Sequence, residues 1–188
     1  MKKLLLAALV ALIVLAGCAS TDSAESAADP NAMPEWVMSD QSTQDVHYAV
    51  GYAKQATQMN SIKRAQAEAR TLLAEWVNIA VDEIITTYTN DAGSGENRQA
   101  VDAFETIAKQ RAQAVLSGST QEAFWVDADG GVYVLMGIPV ENVKDQMYGA
   151  VTESARQAGF EKNEAAAEAN AMMNAAIDRF FSSPSVTE

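Results

Sequence analysis

Two residues of this chain are singular: Cys18 is its only thiol and His47 its only imidazole. Together they bound the chemistry open to the protein. A catalytic histidine needs an orienting acid and a nucleophile. His47 has Asp45 and Tyr48 close by in sequence, but the chain shows no serine nucleophile-elbow motif and no second cysteine. Zinc sites draw on several Cys and His at set spacings, which one of each cannot supply. Asp127, Asp129 and Glu141 offer the oxygen ligands that calcium takes. The twelve-position loop closed by a glutamate is missing, however. Asp127-Ala128-Asp129-Gly130-Gly131 reads instead as turn chemistry, where Asp and Gly are favoured for backbone reasons. Gly93-Ser94-Gly95 is too short and wrongly placed to cradle a phosphate. The expectation is a protein with no catalytic residue, no metal and no dissociable cofactor, in short not an enzyme.

Cys18 has a more specific setting. Lys2 and Lys3 open the chain, Leu4 to Leu15 is an unbroken apolar run, and Ala16-Gly17 precede the cysteine. The run is short for a permanent membrane span and has the layout of a secretory signal. Leu15-Ala16-Gly17-Cys18 resembles the lipobox of bacterial lipoproteins. That resemblance implies a signal peptide over 1–17, a diacylglycerol on the Cys18 thiol and an acyl chain on the new amino terminus. By the sorting rule of enterobacterial lipoproteins, Ala19 in place of an aspartate implies the outer membrane, with the protein facing the periplasm. Each buried methylene contributes about 0.8 kcal/mol, so several acyl chains hold far more firmly than one. Once Cys18 is lipidated no thiol remains, and the fold must stand without a disulfide in an oxidising compartment.

The chain has 188 residues, with 13 Lys and Arg against 25 Asp and Glu. Removing Lys2 and Lys3 with the signal leaves 11 basic residues and a net charge of −14. Nucleic acid binding needs a basic patch, so this balance excludes it as a partner. Anionic headgroups would also repel such a surface, which leaves the lipid to hold the membrane.

These residues must be positioned by the elements between them. Residues 18–33 read as a lipidated cysteine followed by a Ser-, Ala- and acid-rich disordered tether. The domain is expected to begin at Pro34-Glu35-Trp36-Val37, with Trp36 packing onto it. Val46 to Ala53 alternates with period two and predicts a strand. His47, Ala49, Gly51 and Ala53 form a small-residue face that would admit a helix closely. Ile62, Ala65, Ala69, Leu72, Leu73, Trp76, Ala80, Ile84 and Tyr88 recur at helical spacing, with Asn60 or Ser61 as N-cap. Ile84 to Thr89 is rich in β-formers, but the helical stripe runs through it and favours helix. Asn90 to Gly95 reads as a loop. Val101, Phe104, Ile107 and Ala108 predict a second helix, with strand character from about Ala114. Ala123 to Val126 and Val132 to Ile138, around the Asp-Gly turn, predict a hairpin. Pro139 suits the first turn of a following helix, with Val140, Val143, Met147, Ala150 or Val151, and Ala155 as its stripe and Gly159 as its stop. Asn163 to Phe181 predicts an alanine-rich C-terminal helix, and Ser182 to Glu188 a frayed tail. The expected fold is α+β: a three-stranded antiparallel sheet with strand one beside strand three, long helices on one face, and an extra C-terminal helix.

Pro34-Glu35-Trp36, the strand with Gly51, the helix with Ala65, Ala69 and Trp76, Trp125-Val126-Asp127 and Gly131-Val132-Tyr133-Val134-Leu135 resemble the LPP-twenty lipoproteins. The resemblance spans residues 34–158 and leaves 159–188 as a separate Ala-rich helix and tail. Its fold is also similar to the N-terminal domain of flagellar assembly protein T. The family implies an outer-membrane lipoprotein and, in its flagellar member, a ring-forming role.

The functional expectation is an outer-membrane-anchored periplasmic lipoprotein with a structural or assembly role. It would act by self-association or by docking on an envelope protein, with a flagellar complex as one candidate. The alternative is a ligand- or peptidoglycan-binding module on the same fold. Met172, Met173, Ile177, Phe180 and Phe181 line one side of the C-terminal helix. They either cap the domain or form an adhesive face for a second copy or a partner.

Overall fold

A computed structural model describes residues 32–92, 98–157 and 164–182. The signal, Cys18, nearly all of the tether, Gly93 to Gly95, Gly159 and the tail after Ser182 lie outside the described residues. From Met33 onward the chain belongs to one compact unit. In chain order it holds α1 (Glu35–Met38), β1 (Val46–Ala53), α2 (Gln58–Ala92), α3 (Arg98–Leu116), β2 (Thr120–Val126), β3 (Val132–Pro139), α4 (Val140–Gln157) and α5 (Glu164–Ser182). The fold is α+β, and the sheet is antiparallel with order β1-β3-β2. Strand one therefore lies beside strand three, as the alternation and the hairpin signal require.

The register pairs Ala49 with Met136, Gly51 with Val134 and Ala53 with Val132. This puts the small face of β1 and the Val132-Val134-Met136-Ile138 face of β3 together under the helices. The β3 residues of that face are fully buried. Gly51 explains how α2 comes so close. A Cβ there would run into the carbonyl oxygen of Ala65 and stand 2.5 Å from the amide nitrogen of Ala69. Gly130, at φ 79°, supplies the left-handed residue of the β2–β3 turn.

The length of α2 shapes the rest of the molecule. A helix of 35 residues is about 52 Å long, while an eight-residue strand reaches about 27 Å. Nearly half of α2 therefore overruns the sheet, and its apolar stripe needs another cover. The cover is helical: α2 contacts α3 and α5, and α4 contacts the same two, which closes a ring of four helices. Val81, Ile84, Phe104, Met147 and Ile177 fill its centre. Polar contacts fix the outer edges. Tyr148 donates to Asp178 at 2.5 Å and Lys144 lies 3.1 Å from the same carboxylate, which ties α4 to α5. Arg179 meets Asp91 at 2.8 Å and ties α5 to the far end of α2.

Several boundaries differ from expectation. The N-cap of α2 is Thr57, whose Oγ1 accepts the Asn60 amide at 3.3 Å, and not Asn60 or Ser61. Ser61 sits inside the helix, where its buried hydroxyl accepts the Gln55 amide at 2.8 Å. Residues 84–89 are helix, and the helix continues through Asn90 and Asp91 to Ala92. Leu72 is exposed, while Val77 and Val81 complete the buried stripe. The second helix continues through Ala114 to Leu116, and strand begins only at Thr120. Pro139 closes β3, paired with Val46, and α4 starts one residue later. Strand pairing holds Pro139 in extended geometry, and the Val140 amide turns back to the Asp45 carbonyl at 2.9 Å.

Candidate functional site

All long helices of the described residues that touch the sheet lie on one face of it. The opposite face carries Tyr48, Val50 and Tyr52 from β1, Tyr133 and Leu135 from β3, and Ala123 and Trp125 from β2. Such residues belong to a covered surface, yet among the described residues only α1 lies over it. Pro34 starts this short helix, as its fixed φ favours. Trp36 packs there onto the domain it precedes. Together with Val37, Met38, Ser39, Asp40 and Gln41, it faces Tyr48, Val50 and Leu135 across a groove of about 260 Å³. Leu135 is only 7% exposed as a result. Toward the hairpin the face is open. Tyr52, 45% exposed, lies 4.7 Å from Tyr133 between ring centroids, and Tyr133 lies 5.6 Å from Trp125. The three rings cross the sheet in a row.

His47 projects to the other side, against α2. Its ring stacks on Trp76 at 4.0 Å and 11°, and Phe181 of α5 meets the Trp76 edge at 6.4 Å. The Nδ1 atom is 3.2 Å from the Ser42 hydroxyl, which also accepts the Tyr48 amide at 3.0 Å. Burial lowers the pKa of the ring from 6.5 to about 4, opposed by the charge of Asp40. The imidazole is therefore neutral at pH 7. Among the described residues no carboxylate hydrogen-bonds to it, and Asp45 does not orient it. The arrangement closes the start of β1 and packs the sheet edge.

Asp127 and Asp129 perform turn chemistry. Asp127 Oδ1 accepts the amides of Asp129 and Gly131 at 2.9 and 2.7 Å. Glu141 does not join them, and no cluster of three metal-ligating side chains exists among the described residues. On α5, Met173 and Ile177 are buried in this chain's own core, and Met172, Phe180 and Phe181 pack against it half-buried. That face is occupied by the domain itself. No helix among the described residues is long and apolar enough to cross a membrane.

The open sheet face escaped the sequence reading, although its signal was present. Tyr48, Val50, Tyr52, Tyr133, Leu135 and Trp125 make the second side of the sheet as apolar as the first. A sheet covered by helices on one face alone alternates apolar with polar. The surplus on the second side marks a surface made to be covered.

No family model matches the chain, and no curated protein matches it.

Proposed function

We propose that this protein is a lipid-anchored lipoprotein of the outer membrane that faces the periplasm and acts by contact, without catalysis. The observation that carries the reading is the half-covered apolar face of the sheet. Exposed apolar surface of this kind marks interaction sites. Acyl chains on Cys18 would hold the protein at the membrane, the acidic segment before Met33 would give reach, and the sheet would dock on an envelope partner or a second copy. A ring-forming role at the flagellar motor is the form this takes in one member of the family whose motifs the chain resembles. One feature supports the alternative of a peptidoglycan-binding module. Tyr52, Tyr133 and Trp125 set three aromatic rings in a row on this partly exposed face, an apolar surface against which a sugar ring would pack.

Labelled palmitate and membrane fractionation test the anchor. The wild-type chain is expected to take up the label and sediment with the outer membrane. Cys18→Ala is expected to lose the label and to stop sedimenting with the outer membrane. A wild-type chain that takes up no label would overturn the lipidation. A muropeptide-dependent rise in Tm, lost in Trp125→Ala, would decide for the glycan-binding alternative.

A further inference from the structure

The free backbone of β1 borders the groove under α1, and the two features together have the chemistry of a peptide-binding site. In the β1–β3 ladder the odd-numbered residues of β1 turn their backbone groups toward β3. The Asp45 carbonyl, at the end of that ladder, takes the Val140 amide. The even-numbered residues turn outward. Two of them are closed off by the preceding segment. Val46 exchanges bonds with Thr43, its amide reaching Oγ1 at 3.1 Å and its carbonyl accepting the Thr43 amide at 2.9 Å. The Tyr48 amide donates to Ser42. Past that point the edge is bare. Among the described residues no hydrogen bond reaches the Tyr48 carbonyl, or the amides and carbonyls of Val50 and Tyr52.

Proteins manage exposed edges with bulges, charges or covers, because unpaired backbone groups accept another strand. The β2 edge is managed: a register shift between Gln121 and Ala123 interrupts it. The second half of β1 has no such device, and beside it lies the groove walled by Trp36, Met38, Tyr48, Val50 and Leu135. A free edge next to a side-chain pocket is the layout by which sheets bind extended peptides. Main-chain bonds give the affinity and the pocket selects alternate side chains. Asp40 lines the groove, Glu35 stands on α1, and the chain as a whole is strongly acidic. The complementary ligand is basic. We propose that the β1 edge from Tyr48 to Tyr52 takes an extended segment of an envelope partner as a fourth strand. An apolar side chain of that segment would enter the groove, with lysine or arginine flanking it. The inference rests on the reading of this sheet as a docking surface and names what docks.

The test titrates the full chain with a blocked heptapeptide alternating lysine and valine around a central leucine. Two controls accompany it: the same peptide with glutamate for lysine, and the basic peptide N-methylated at alternate amides along one edge. The basic peptide is expected to bind saturably and to slow amide exchange at Val50 and Tyr52. Methylation of the pairing edge is expected to raise Kd at least tenfold, and the acidic peptide to show no binding. Val50→Pro deletes an outward amide that no ladder bond uses, so it should weaken binding by a similar factor. If that variant unfolds, the methylated peptide makes the same comparison on the wild-type chain. Equal binding of methylated and unmethylated peptide, protection on β2 instead, or no binding of the basic peptide would each overturn the proposal. So would protection of Val50 and Tyr52 that rises with protein concentration alone, since the occupant would then be a second copy. A chain that takes up palmitate but ignores these peptides fails here and leaves the anchor standing.

Discussion

Gly51 and His47 sit two turns of the alternation apart on the same face of β1, and each answers to α2. At Gly51 the constraint is backbone against backbone, so no side-chain rearrangement relieves a methyl group placed there. Gly51→Ala is expected to cost about 3 kcal/mol or more, at the upper end of overpacking effects, measured as a fall in the urea midpoint. His47 makes stability depend on pH. Its folded pKa of about 4 lies below the 6.5 of the free ring, so the unfolded chain takes up the proton first. The contribution of the neutral ring is then complete above about pH 6.5 and is lost as pH falls toward about 4. In urea titrations, wild type is expected to lose stability across that window faster than His47→Phe, which keeps the stack on Trp76 and cannot titrate. Parallel pH profiles would show that the ring is not held neutral by burial. At this scale the sequence was informative in part. The small face of β1 announced the close helix, because Gly and Ala leave room that no other residues leave. The Ser42–His47 contact was not legible, since neither residue belongs to a motif and their meeting depends on how the segment before β1 folds back.

Among the elements, α2 and α5 have to be understood together. The stripe on α2 runs further than any three-stranded sheet can cover, so a second apolar partner was implied by its length. Which partner was not implied. The alanine-rich stretch with Met172, Met173, Ile177, Phe180 and Phe181 reads equally as cap or as adhesive face, because a helix stripe carries no address. In the folded chain Ile177 is wholly buried between α2 and α4. Ile177→Ala is expected to cost about 3 kcal/mol through lost transfer energy and a residual cavity. A calorimetric Tm lower by roughly 6–12 °C would accompany it. An unchanged Tm would mean that α5 packs elsewhere. Boundaries moved for local reasons. Thr57 caps α2 one turn early because its hydroxyl is the first to reach a free helix amide. Pro139 stays in β3 because pairing with Val46 holds it extended.

For the whole molecule, charge and anchor work in opposite senses. On the proposed reading the chain from Cys18 onward carries a net charge of −14 and is repelled by anionic headgroups. Among its described residues no helix can span a bilayer. On the proposed reading the acyl chains, and not surface charge, hold the protein to the membrane. Removing the thiol should take the protein off the outer membrane, with no electrostatic remainder there that high salt would strip. A salt-sensitive fraction of Cys18→Ala left on the membrane would contradict this. The same acidity favours a basic docking partner, and peptide binding at the β1 edge should weaken as salt rises.

The sequence by itself determined the α+β class, the strand pairing order, the long helix and the absence of any histidine or cysteine cluster. These follow from local periodicity and composition, which act over a few residues at a time. It also carried the motif ending at Cys18 on which the proposed lipid anchor rests. Only the tertiary structure decided that Met173 and Ile177 of the C-terminal stripe are buried inside the domain while, among the described residues, one face and half of one edge of the sheet remain open. Burial is a property of which surfaces meet, and two apolar surfaces of equal strength look alike until the chain has chosen which of them to cover.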